Sequence, residues 1–243
     1  MHRTPAFAAA IIVASAAAAG AQPVDVSTSA PQPAATIGAP QSADVALAMY
    51  RAALDALPEI GNVVFEYTES RIGPSRALAE VHRVYRSAEG DERNETISVD
   101  GASIVPAISQ FSVSAQWPYD VRALAVDAAD YEVMPLGPAT VDGRRVLSYS
   151  AVRTSVGDFA VTHLYLDPLR HLPVREGFTS SGGGCSGSGT IDFGPVDRRW
   201  MPTEVSVSCT VSEGGAVFKE TIKFAGYRFL AALPSDVFSG AAQ

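Results

Sequence analysis

The chain has 243 residues, 26 acidic against 18 basic side chains, a formal net charge of −8 and 47% hydrophobic residues. That balance excludes a binder of phosphate backbones, which needs a basic face, and gives no electrostatic attraction to an anionic membrane surface. The hydrophobic fraction is that of an ordinary folded domain and excludes wholesale disorder.

Residues 1–21 read as an export signal. Arg3 supplies the positive start, and Ala6 to Ala19 form an apolar core shorter than the ~20 residues of a membrane span. Ala19-Gly20-Ala21 then matches the small-x-small cleavage rule, so the mature chain is expected to begin at Gln22. No cysteine follows the apolar core to carry a lipid, and no later apolar run reaches transmembrane length. The expected location is the periplasm or the outside of the cell. Residues 22–41 carry Pro23, Pro31, Pro33 and Pro40 among Ala, Ser, Thr and Gln, and are read as a disordered linker. Residues 42–240 remain for one domain.

That domain starts with a helix from about Ser42 to Leu57. Ser42 is the N-cap, Ala46, Met49, Tyr50, Ala53, Leu54 and Leu57 recur at three- and four-residue spacing, and Pro58 ends the run. From there the period becomes two. Val63, Phe65 and Tyr67 alternate with polar neighbours, as do Leu147, Tyr149 and Ala151. Val205, Val207, Cys209 and Val211 share one face of a third run, and Phe218, Ile222 and Phe224 share one face of a fourth. Such alternation predicts antiparallel strands with one wet face. Turn signals such as Asp100-Gly101 and Asp142-Gly143 separate the runs. One helix followed by many strands is an α+β arrangement.

Leu164 to Glu176 (LYLDPLRHLPVRE) gathers five chemically useful side chains in a short span. Asp-Pro initiates turns, so the stretch is read as a hairpin between strands Phe159–Leu166 and Pro173–Thr179 rather than as an active site. The motif also carries a family resemblance. A strand ending Leu-Tyr-Leu-Asp, a short turn and Leu-Pro-Val-Arg resembles a recurrent hairpin of LolA-like and RseB-like periplasmic proteins. NVVFEYTESR (62–71), VHRVYRSAEGDERNE (81–95, with Arg93 just after the turn), VDGRRVLSYSA (141–151), RWMPTEVSVS (199–208) and IKFAGYRFLAALPSDVF (222–238) resemble further segments of that family, in the same order. The resemblance implies a large curved antiparallel β-sheet, a half-barrel, wrapped around the N-terminal helix. It also implies a concave apolar face that in the carriers holds acyl chains.

Several chemistries are tested and set aside. SSGGGCSGSG lacks the Gly-Lys-Ser/Thr of a phosphate loop and the Gly-x-Ser-x-Gly of a nucleophile elbow, so Ser180 to Gly189 is read as a flexible loop. His82 and His163 are expected to point outward from strands, and no histidine has a close second ligand at metal-binding spacing, so no metal is expected. No catalytic residue and no cofactor is expected. Cys185 and Cys209, the only cysteines of an exported chain, read as one disulfide, against the alternative of two unrelated buried thiols. Trp117, Tyr119 and Trp200 are either core corners or rim aromatics of a cavity.

Two functions follow. The first is an exported carrier or binding protein that takes a lipid, an acylated protein or another apolar ligand in the half-barrel. Met49, Tyr50, Leu54, Phe65, Tyr67, Leu147 and Tyr149 are the expected lining, the last four facing the helix. The alternative is a regulatory or structural module that docks another envelope protein and has no lipid cargo. Titratable residues are expected only in turns and on wet faces.

Overall fold

The computed structural model describes residues 42–239 apart from 75–76, 116, 182–184 and 212–214. The expected leader and linker lie outside the described residues, as does residue 240. Helix α1 spans Ala43–Asp55. Eleven strands follow: β1 Asn62–Ile72, β2 Ala77–Arg86, β3 Glu92–Val99, β4 Ala102–Ser112, β5 Tyr131–Val141, β6 Arg144–Arg153, β7 Phe159–Leu166, β8 Pro173–Ser180, β9 Cys185–Val196, β10 Arg199–Val211 and β11 Val217–Leu230. They form one antiparallel sheet in the order β4-β3-β2-β1-β11-β10-β9-β8-β7-β6-β5, which does not close. This is the α+β half-barrel with one helix.

Strands β4 and β5 are consecutive in the chain but stand at opposite edges of the sheet. The connection between them, residues 113–130, must therefore cross the whole molecule. It crosses the face that also carries α1. Val121 and Val126 are buried in one cluster with Ala46, Leu47, Tyr50 and Leu54 of the helix. Trp117 is buried in a second cluster with Val63, Phe65, Val84 and Met201. Helix and crossover together form the cover of the concave face.

The helix starts where the Ser42 carbonyl accepts from the Ala46 N–H, without a side-chain cap. It stops short of Pro58, as a proline requires of the residue before it. Its buried residues are Ala46, Leu47, Tyr50 and Leu54. The expected stripe is thus rotated: Leu47 goes in and Met49, 36% exposed, stays out. A helix face that meets a sheet and an irregular crossover together need not centre on the position that spacing alone suggests.

The turns follow their chemistry. Asp142-Gly143 joins β5 to β6 with both residues at positive φ (48° and 77°), the type I′ geometry that matches strand twist. In the β7–β8 hairpin, the Asp167 carboxylate accepts from the N–H groups of Leu169 and Arg170 at 2.9 and 2.8 Å. The charged stretch is a turn, and its aspartate holds backbone rather than substrate.

The glycine-rich stretch departs from expectation. Cys185 to Gly189 is not loop but the start of β9. A Cβ on Gly187 would lie 2.1 Å from the Ser208 carbonyl, and one on Gly189 would lie 2.7 Å from the Phe178 ring. The glycines are there because neighbouring backbone and an aromatic ring come too close for any side chain. The register sets Cys185 opposite Val211 and Cys209 opposite Gly187, a single diagonal step between the cysteines. No cysteine is free among the described residues.

Candidate functional site: the concave face

Direct cross-strand register draws a row across the concave face. From β6 to β8 it runs Tyr149, Leu164, Glu176. From β9 to β11 it continues Ile191, Val205, Ile222. It then enters β1 and β2 as Glu69 and Glu80. One end of the row is apolar with a single acid set in it, and the other end is acidic.

The apolar half lies under the cover. Leu147 and Tyr149 are buried in the cluster that contains α1, where they were expected to face the helix. Glu176, fully buried, is the exception. The Tyr50 hydroxyl donates to its Oε1 across a long 3.4 Å, and its Oε2 has no partner. Burial pushes the Glu176 carboxyl up to about 8, opposed only in part by the Tyr50 contact. Burial also raises the Tyr50 phenol, and the neighbouring Glu176 carboxylate adds to it. The Val126 N–H donates to the same hydroxyl at 3.4 Å, so Tyr50 ties helix, sheet and crossover at one atom. Arg122 donates to the carbonyls of Leu54 and Leu57, closing the helix C-terminus onto the crossover.

The other half, on β1, β2, β3 and β11, is polar. Arg71 is buried and bonds Glu69 at 2.8 Å and Glu220 at 2.8 Å. Glu80 and His82 are also buried, with His82 Nε2 3.2 Å from Glu80 Oε2. Ligand atoms of Glu69, Glu80 and His82 all lie within 4.8 Å of one another. Desolvation, then the Glu220 carboxylate, raise Glu69 to about 7, with Arg71 pulling the other way. Tyr67 stacks flat on His82, with centroids 4.5 Å apart and 9° between planes. Its hydroxyl accepts from Asn94 Nδ2 at 2.9 Å. Desolvation raises the Tyr67 phenol to about 12, against the Asn94 hydrogen bond.

Three expectations are corrected here. His82 does not point outward; it shares the concave face with Tyr67, because the register pairs the two directly. Titratable groups are not confined to turns and wet faces. Nor is a set of close metal-ligand residue types absent, for the cross-strand pairing Glu69–Glu80 supplies what spacing along one strand does not. Phe65 is corrected as well: it packs on Trp117 (5.3 Å) and Tyr227 (5.3 Å) rather than on the helix. The sequence held a signal for the polar cluster. Phe65, Tyr67, Glu69 and Arg71 have one parity in β1, so expecting the first two inside places the second two there also.

Trp117 and Trp200 are core residues, with Trp200 Nε1 donating to the Pro173 carbonyl at 2.6 Å. Arg93 reaches the Val237 carbonyl at 2.9 Å and ties the C-terminal segment to β3. His163 stacks on Tyr165 in a depression of about 460 Å³ that also holds Arg175 and Thr190. Arg175 is engaged there by Asp192 and by Asp142 (3.0 Å), so the depression offers no unpaired cation. Among the described residues, no helix is long and apolar enough to cross a membrane.

No family model and no curated protein matches the chain. Solved structures do. A domain from Vibrio parahaemolyticus described as an outer membrane lipoprotein-sorting protein is 12% identical over 82% of this chain and 98% of its own, with a TM-score of 0.46. A LolA superfamily protein from Nitrosomonas europaea is 14% identical over 82% of this chain and 97% of its own, with a TM-score of 0.40. MucB is 15% identical over 81% of this chain and 62% of its own, with a TM-score of 0.34, and a chain of the Pseudomonas aeruginosa MucA/MucB complex is 12% identical over 77% of this chain and 100% of its own, with a TM-score of 0.27.

Proposed function

We propose that this chain is an exported, non-catalytic binding protein that takes an acyl chain, free or carried by a lipid or an acylated protein, on the apolar half of its concave face. One observation carries the reading: the apolar row from Tyr149 to Ile222 is covered by a single helix and an irregular crossover that meet it through apolar side chains, with Tyr50, Arg51 and Arg122 making polar ties among helix, crossover and sheet. The Tyr50 contacts with Glu176 and Val126 are both 3.4 Å. Arg51 and Asp127 meet at 3.4 Å, with both side chains more than two-fifths exposed. A cover held mainly by non-directional apolar contact can be exchanged for another apolar surface, at about 0.8 kcal/mol per buried methylene. Tyr50, Leu54, Leu147 and Tyr149 would then meet the ligand, and Phe65 and Tyr67 would mark its boundary with the polar half. The exported location rests on residues 1–21 and the bond Cys185–Cys209 on the register above. The test is labelling with a photoactivatable long-chain fatty acid, followed by peptide mapping. Saturable labelling of α1, the crossover and β6–β10 supports the reading. Labelling confined to sheet edges, or none, overturns it.

The two sheet edges favour protein docking as a second reading. Val105 on β4 is 90% exposed, and Met134 and Leu136 on β5 are 58% and 57% exposed. Pro106 on β4 and Pro135 and Pro138 on β5 interrupt the edge hydrogen-bonding rows, which disfavours strand addition. A partner would engage these edges through side chains.

A further inference from the structure

The polar half of the concave face holds a group of side chains that acyl-chain binding does not use. We propose that Glu69, Glu80 and His82 bind one divalent transition-metal cation of the Zn²⁺ class. This proposal stands apart from the acyl-chain reading and survives its failure.

The orientation of the His82 ring carries the argument. Asn94 Nδ2 donates to the Tyr67 hydroxyl, which turns Asn94 Oδ1 toward His82 Nδ1 at 3.2 Å. Thr96 Oγ1 lies 3.4 Å from the same nitrogen, and in the tautomer with the proton on Nδ1 the Nε2 atom presents a lone pair. That lone pair faces Glu80 Oε2, another acceptor, at 3.2 Å. In that tautomer the two acceptors face each other in a buried site and a cation can bridge them, taking the place of the proton that otherwise joins the pair. A ring N–H held by an amide oxygen is the arrangement that orients a metal-bound imidazole. Stacking on Tyr67 fixes the ring plane as well.

The distances suit a coordination sphere. With bonds of about 2.1 Å, adjacent ligands lie about 3.0 Å apart in an octahedron and about 3.4 Å apart in a tetrahedron. The observed 3.2 Å falls between them. Glu69 lies within 4.8 Å of both and closes the third position by a swing of its carboxylate. A carboxylate has two oxygens, so Glu69 can ligate through one and keep Arg71 on the other.

Charge points the same way. Three carboxylates, Glu69, Glu80 and Glu220, converge where Arg71 supplies one guanidinium. One imidazole with two carboxylates suits Zn²⁺, whereas Ca²⁺ and Mg²⁺ prefer oxygen alone. Three protein ligands leave a fourth position for water or a donor atom of a bound molecule.

The experiment titrates the untagged protein with Zn²⁺ by calorimetry and with Co²⁺ by visible absorption. The expected result is one ion per chain, with Glu80→Gln and His82→Gln each lowering affinity more than about tenfold. The double variant His163→Gln/His171→Gln should bind as wild type does. Circular dichroism checks that each variant is folded. Should the ligand variants unfold, imidazole nitrogen NMR of the wild type decides: Zn²⁺ must shift His82 Nε2 and spare Nδ1. No saturable binding by wild type, unchanged binding in both ligand variants, loss in the His163/His171 control, or a His82 resonance that ignores Zn²⁺ overturns the proposal.

Discussion

The two halves of the concave face are built on one sheet and one register, yet they solve burial in opposite ways. Between β6 and β10 the row is apolar and is covered by α1 and residues 113–130, with one buried acid, Glu176, given a single long hydrogen bond. Between β11 and β3 the same face carries glutamates, an arginine, a histidine and an asparagine that satisfy one another at short range. Apolar contact is non-directional, so the first half can trade its cover for another apolar surface. A buried polar network is directional, and each member depends on the rest. The first half suits a variable apolar chain, the second a small ligand of defined geometry.

Truncation separates the halves most strongly. Leu164→Ala, in the fully buried apolar row, should lower stability by about 4 kcal/mol in urea unfolding, through lost burial and a residual cavity. Arg71→Met strands Glu69 and Glu220 together and should cost about 3 kcal/mol in the same assay. If Arg71→Met costs nothing, the polar half is not a coupled network.

The acid in the apolar half gives the comparison a pH signature. The folded carboxyl of Glu176 is raised to about 8 from an ordinary 4.5. Between those values the unfolded chain has lost a proton that the folded chain keeps, so stability falls as pH rises through that window and then levels off. Glu176→Gln copies the neutral acid. It should match wild type near pH 4 and exceed it by several kcal/mol near pH 9, read from paired denaturation curves. Equal curves at both pH values would mean that Glu176 does not sit in a dry interior.

Smaller effects sharpen the picture. Cys209→Ala should cost about 1–2 kcal/mol, since the proposed bond to Cys185 restrains two strands that are already paired. Thiol titration of denatured, unreduced wild type should find no free thiol. Arg51→Ala removes an exposed ion pair with Asp127 and should change stability by less than about 0.5 kcal/mol.

The difference between the halves also decides what was legible in the sequence. Strands buried on one face and wet on the other declared themselves: Phe159–Leu166 was read with the bounds it has in the structure, and the core of β10 by its Val-Ser alternation. Edge strands did not. β4 and β5 have little burial to impose a pattern, and prolines interrupt them, so ASIVPAISQFS and YEVMPLGPATV carry no strand signature. β9 hid because close packing selects glycine there, and glycine alone reads as loop. The polar cluster depends on the register of β1 against β2, a long-range fact that one-dimensional spacing does not contain. One-dimensional spacing therefore does not bring Glu69, Glu80 and His82 together, although the parity of Glu69 with Phe65 and Tyr67 in β1 is legible. Helix periodicity is local and places Tyr50 and Leu54 inside, while the rotation of the helix on the sheet is not local and leaves Met49 outside.

Hydrogen exchange with mass spectrometry tests the central claim, that the apolar half opens to an apolar ligand while the polar half stays closed. In the free protein, α1 and residues 113–130 should exchange faster than β7–β10 and faster than global unfolding permits. A long-chain fatty acid should change exchange in those cover segments and leave β2 and β3 as they were. Cover segments that exchange only with global unfolding, and no change on adding the fatty acid, would contradict the account.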